Sequence, residues 1–167
     1  MYDGKEWSSS RSSLTGKQIA AGLTMLPREH VDAIVASLRT ARSVRLVPTL
    51  APASRTALLT ILEFDSEASA RHWVRLSGLV SAHENETRKE GAQRFTNAKE
   101  TRLDGASVRG LLQEKTMVQG ELKFDMVTID AHRGPFVVET SIVGDPPSTA
   151  AHLKLVEDVF AGLGIAK

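Results

Sequence analysis

Alternation of apolar and polar positions is most regular in the last third of the chain. Leu122, Phe124 and Met126 are interleaved with Glu121, Lys123 and Asp125, as a strand with one buried and one wet face requires. Arg133-Gly134 reads as a tight turn, after which Phe136, Val137 and Val138 continue the sheet. Val108 to Val118, Glu121 to Asp130 and Pro135 to Val143 are therefore predicted as three consecutive strands with turns at Gln119-Gly120 and Arg133-Gly134, an antiparallel meander. Asp145 and Pro146 stop the sheet and open a helix whose Leu153, Val156, Phe160 and Leu163 form one stripe, closed by Gly162 or Gly164.

Upstream, Val31, Ile34, Val35 and Leu38 recur at helical spacing behind Pro27, which predicts a helix ending around Thr40 to Arg42. Arg39 and Arg42 suit the negative end of that helix dipole. Val44 to Leu50 and Ala57 to Phe64 read as two strands of a hairpin, because Pro48 and Pro52 forbid helix and Leu58, Leu59, Ile61 and Leu62 form a buried run. Asp65 supplies an N-cap oxygen for a helix ending near Gly78, with Ala70, Trp73, Val74 and Ser77 on one face. A buried strand, acidic cap and amphipathic helix occur twice, at 58–76 and at 137–160, which suggests an internal duplication.

Two stretches lack apolar periodicity. Met1 to Gly16 holds five serines and is expected to be a disordered tail or tether, either native or left by a trimmed leader, ahead of a single domain over 17–167. Ser81 to Asp104 carries charges of both signs, with Phe95 and Leu103 as its large apolar residues, and reads as a surface excursion. Arg88, Lys89, Arg94 and Phe95 are its candidate partner contacts. The element order is then α-ββ-α-βββ-α, an α+β domain with an antiparallel sheet of about five strands and helices packed on one face.

Composition narrows the functional classes more than it identifies one. The chain has 167 residues, 41% of them hydrophobic and 25% charged, which suits a globular domain with one core. A net charge of +1 is too small for the field that draws in nucleic acid, and aromatics at 5% are too few for a base-stacking platform. No cysteine is present, which removes disulfides, thiolate metal sites and cysteine nucleophiles. No run approaches the roughly 20 apolar residues of a membrane span, and no export signal opens the chain.

The chain contains no nucleophile elbow, Walker loop, dinucleotide glycine fingerprint, zinc-protease helix or calcium loop. His30, His72, His83, His132 and His152 are scattered singly, without the i, i+4 pair that aims two imidazoles at one metal ion. Glu157 with Asp158, or Asp130 near Asp125, are the carboxylate pairs available for acid–base work, and both read first as solvated faces. Asn85-Glu86-Thr87 matches the N-glycosylation pattern, which matters only on a eukaryotic secretory route. No catalytic, metal or cofactor residue is assigned, and no cofactor is expected.

Phe64-Asp-Ser-Glu-Ala-Ser-Ala-Arg-His-Trp after a strand, Asp104-Gly-Ala-Ser-Val-Arg-Gly, and Arg133-Gly-Pro-Phe-Val-Val-Glu before the last helix together resemble domains of secreted lipoproteins and other envelope proteins of actinobacteria. The resemblance spans the pattern from Leu58 to Leu163 and lies in core and turn positions. It implies a PsbP-like α+β sandwich in the cell envelope, tethered and non-catalytic, binding a protein partner or small ligand through the 81–104 surface. Membrane contact would come only through an N-terminal anchor, and the chain has neither a lipobox cysteine nor a leader. The alternative is a small cytoplasmic α+β dimer around a ligand pocket, with or without enzymatic activity. A third reading uses Val44 to Leu50 as an exposed edge for strand addition, against which Pro48 and Arg45 look like edge protection.

Overall fold

A computed structural model describes residues 7–48, 56–87, 93–105, 108–144, 146 and 148–165. Among them it is α+β, with seven antiparallel strands in one sheet and four helices. In chain order the elements are β1 (Trp7–Ser13), α1 (Gly16–Ala21), α2 (Arg28–Ser37), β2 (Leu38–Pro48), β3 (Thr56–Phe64), α3 (Glu67–Thr87), β4 (Gln93–Asp104), β5 (Arg109–Gln119), β6 (Leu122–Arg133), β7 (Phe136–Val143) and α4 (Thr149–Gly162). The strands lie in the order β1-β2-β3-β7-β6-β5-β4.

The meander β5-β6-β7 forms where its alternation places it. Its two-residue loops begin at Gly120 and Gly134, whose φ of +60° and +55° is the left-handed conformation that matches hairpin twist. β7 then returns to the centre of the sheet beside β3, with Ile61 opposite Val138 and Leu62 opposite Val137.

Helices cover both faces of the sheet, where the sequence predicts one. On β7, Glu139 meets Trp73 of α3, whereas its neighbour Thr140 meets His152 of α4. Successive strand residues point to opposite faces, so α3 and α4 lie on opposite sides. Leu62, Phe64 and Val137 join Ile34, Trp73 and Leu76 in one core, and Ile129, Ala131 and Val138 join Val156 and Phe160 in the other. The central strands are therefore covered on both sides, which is why β3 and β7 place apolar residues on both faces, Leu62 and Val137 in one core and Leu59 and Val138 against the other.

Both polar stretches also differ from expectation. Within the segment expected to be a disordered tail, Trp7–Ser13 forms β1 and pairs along β2 from Pro48 to Arg42. Main-chain pairing at a sheet edge needs no apolar face, and the side chains of Ser8 to Ser13 are exposed. Thr15 follows as the N-cap of α1 in a reciprocal capping box with Gln18. Because β1 covers it, β2 is not the exposed edge that strand addition needs; Leu50 lies outside the described residues. Of the 81–104 excursion, the described residues belong to the last turns of α3 and to the edge strand β4, which is wet on most positions.

Boundaries shift for local reasons. α2 stops at Ser37, and Leu38 passes straight into β2, so Arg39 and Arg42 are strand residues instead of dipole partners. α3 runs through Gly78, which is buried there. A Cβ at that position would stand 2.7 Å from Leu111 Cδ1, so this glycine permits close helix–sheet approach and ends nothing. α4 is capped by Ser148, whose hydroxyl accepts from the Ala151 N–H.

Candidate functional site

The face of the sheet beneath α3 is polar at positions whose strand parity should make them core. Asp130 on β6 and Glu139 on β7 stand opposite each other, with Thr60 of β3 beside Glu139. Two residues along, Gln113, Thr128, Ser141 and Leu58 form the next cross-strand row, and Lys115 and Met126 the one after. Above them α3 presents Trp73, Ser77, Ser81 and Glu84, which share one helical face. Between helix and sheet, Ser77, Ser81 and Glu84 and the strand residues of these rows line a cavity of about 420 Å³, with Leu58, Val80 and Met126 as its apolar wall.

Each carboxyl is held through one oxygen by a donor from α3. Trp73 Nε1–H donates to Glu139 Oε1 at 2.5 Å, and Ser77 Oγ–H donates to Asp130 Oδ2 at 2.5 Å. Burial is the main force on both acids. It pushes Glu139 up to about 8, with the facing Asp130 adding to the rise and the Trp73 bond opposing it. Asp130 is pushed up to about 6, where the Ser77 bond and the charge of Lys115 pull the other way. Burial and mutual repulsion therefore leave the facing pair holding a proton between its two carboxyls near neutral pH.

The other end of the cavity is built around an ammonium. Lys115 is buried, with Nζ 3.8 Å from Glu84 Oε2 and 4.0 Å from the Phe95 ring centroid. Between the two ends lie the Ser81 hydroxyl and the Gln113 amide nitrogen, both on residues only 7% exposed and both without a hydrogen-bond partner. Buried polar groups are nearly always satisfied, so these two leave hydrogen-bonding capacity open towards the cavity; Asn85 Oδ1, His132 Nδ1 and His152 Nδ1 are likewise unpartnered but do not line it.

The residues nominated from sequence are dispersed. Arg94 is exposed on β4, its neighbour Phe95 is buried beneath Lys115, and Arg88 and Lys89 lie outside the described residues. Asp125 bonds Thr116 on the exposed opposite face, so Asp130 pairs with Glu139 instead. Glu157 and Asp158 stay on α4, where Asp158 binds Lys154. His132 and His152 are buried. His152 bonds Thr140 at 2.6 Å, and burial lowers it to about 4. Among the described residues no three His, Asp or Glu side chains cluster to hold a metal ion, and no helix is long and apolar enough to cross a membrane. Sequence reading missed Glu139, Gln113, Lys115 and Ser81. The available signal was parity: each is a polar residue on a buried face of its strand or helix.

No protein-family profile matches the chain, and no curated protein does. Among solved structures the chain is similar to the extracellular domain of PknH from Mycobacterium tuberculosis. That likeness has a TM-score of 0.58 at 10% identity and covers 91% of this chain and 82% of that one. At that identity the likeness is one of fold.

Proposed function

We propose that this protein is a non-enzymatic ligand-binding domain that works outside the cytoplasm, with the cavity beneath α3 as its binding site. The observation that carries the reading is the pair of unsatisfied groups, Ser81 Oγ and Gln113 Nε2, lining a cavity that also holds two carboxyls and an ammonium. The extracytoplasmic placement is supported by the fold likeness to an extracellular domain and by the actinobacterial envelope pattern of residues 58–163.

One observation favours an enzymatic second reading. Asp130 and Glu139 are facing carboxyls pushed to about 6 and about 8, as an acid–base pair working near neutrality would be. A panel of sugars, polyols, amines and amino acids, screened by thermal shift and followed by proton NMR for turnover, separates the two. The binding reading expects at least one compound to raise the melting temperature and to be recovered unchanged. A compound converted to product supports the enzyme, and a panel without any stabilising member contradicts both.

A further inference from the structure

The polar groups of the cavity are ordered by sign along the strands. Asp130 and Glu139 form the acidic row, and Gln113 and then Lys115 follow on β5 at successive rows. Two residues of strand advance about 7 Å, so the carboxyl row and the amide row are separated by the length of a short carbon chain. Ser81 on α3 lies between Ser77, which bonds Asp130, and Glu84, which pairs with Lys115.

We propose, resting on the reading that this cavity binds a ligand, that its occupant is a small zwitterion: an amine and a carboxylate joined by a few carbons. The ammonium sits against Asp130 and Glu139, and the carboxylate faces the Gln113 amide and the Lys115 end.

Each end of this ligand answers a demand of the cavity. Two carboxyls directly opposite on neighbouring strands cannot both ionise without repulsion, and the donors from Trp73 and Ser77 engage only one oxygen of each. An ammonium between them supplies the missing donors and the missing charge in one group. At the other end Gln113 Nε2 is a donor that needs an acceptor, which an alkylammonium alone lacks. The Ser81 hydroxyl can serve either group. A neutral sugar satisfies Gln113 and Ser81 but leaves the carboxyl pair uncompensated. Leu58, Val80 and Met126 provide the apolar wall for the intervening carbons.

Proton release follows from the same geometry. The charged and titratable groups that bear on the acidic row are Lys115 on β5 and Glu100 on β4, which act on Asp130, and Asp130 itself, which acts on Glu139; Glu84 on α3 lines the same cavity. At pH 7 the empty cavity keeps a proton on the carboxyl pair, and an arriving ammonium displaces it.

The test is isothermal titration of the whole chain at pH 7 in two buffers of different protonation enthalpy. The probes are the ω-amino acids from glycine to 6-aminohexanoate, with butylamine, butyrate and glucose beside them. At least one ω-amino acid should bind tenfold or more tightly than butylamine and butyrate, releasing up to one proton per molecule bound. Glu139→Gln should abolish the proton release, and Gln113→Leu should erase the preference over butylamine. Glucose binding in place of the amines would overturn the zwitterion while leaving a ligand cavity intact. Butylamine binding as tightly as the best ω-amino acid, or no probe binding at all, would also overturn it. The wild-type selectivity over butylamine, butyrate and glucose decides the matter even if a variant fails to fold.

Discussion

Asp130 and Glu139 face each other across β6 and β7, and each is tied by a single hydrogen bond to α3, the first by Ser77 and the second by Trp73. Two acids on one buried row is a costly arrangement in a small domain, since burial alone penalises their charged forms. Neighbouring positions on the same strands are filled by Ile129, Ala131 and Val138, so the sequence has no shortage of apolar alternatives for a sheet interior.

Stability should fall as pH rises from 6.5 to 8. The folded protein holds the Glu139 proton with a pKa of about 8, whereas the unfolded chain releases it near 4.5. The folded form therefore binds more protons across that window, and its advantage shrinks as pH climbs. His152 acts with the opposite sign, and only below 6.5, because its folded pKa is lowered to about 4. Thermal melts from pH 6.5 to 8 should decline for the wild type and stay nearly level for Glu139→Gln; a wild-type melting temperature that rises over this range contradicts the assignment.

Trp73 combines a core contact with a polar one. Its ring lies 5.9 Å from that of Phe64, and its indole N–H serves Glu139. Trp73→Ala should cost about 3–5 kcal/mol by denaturant unfolding. Trp73→Phe keeps most of the packing but removes the donor that lowers Glu139, so the alkaline fall in stability should extend to higher pH. Equal pH profiles for Trp73→Phe and wild type would show that the bond does not act on this carboxyl.

Groups kept for a ligand are expected to weaken the empty fold. A buried, unpartnered amide costs about 1–3 kcal/mol, so Gln113→Leu should stabilise the ligand-free protein by about 1 kcal/mol in chemical denaturation. A loss of stability of similar size would mean that Gln113 is satisfied within the fold.

The acidic row also depends on close backbone approach between β5 and β6. A Cβ at Gly110 would meet the Asp130 carbonyl oxygen at 2.0 Å and Ala131 Cα at 2.8 Å, backbone atoms that cannot step aside. Gly110→Ala should therefore destabilise by about 3 kcal/mol or more, whereas Gly162→Ala, with nothing within 4 Å, should gain about 0.5–1 kcal/mol in the same assay.

The extracytoplasmic reading is checked in the organism's own cells. The full-length native gene product should fractionate with the envelope or the medium, and recovery in the cytosol would move the ligand search to cytoplasmic metabolites.

Much of the fold is legible in the chain because glycine turns and alternation are local signals. Gly120, Gly134 and the apolar positions of β5 to β7 mark the meander without reference to anything distant. What escaped depends on remote partners. Ser8 to Ser13 become a strand only because β2 offers a pairing edge, and Gly78 looks like a helix stop until Leu111 is seen packed against it. The site was hidden for the same reason. Asp130 and Glu139 are nine positions apart and belong to different strands, so only their register makes them a pair. Ser77 and Ser81 sit on the same helical face as Trp73 and pass for small core residues until the cavity beside them is known.

Mapping a bound ligand on backbone amides tests the central claim most directly. In nitrogen–proton spectra of the whole chain, titrated with the most stabilising compound of the panel, the largest shifts should fall at Ser77, Ser81, Gln113, Thr128 and Glu139. Shifts confined to Arg94 and the rest of β4, or spread over the α4 face around His152, would contradict a binding site beneath α3.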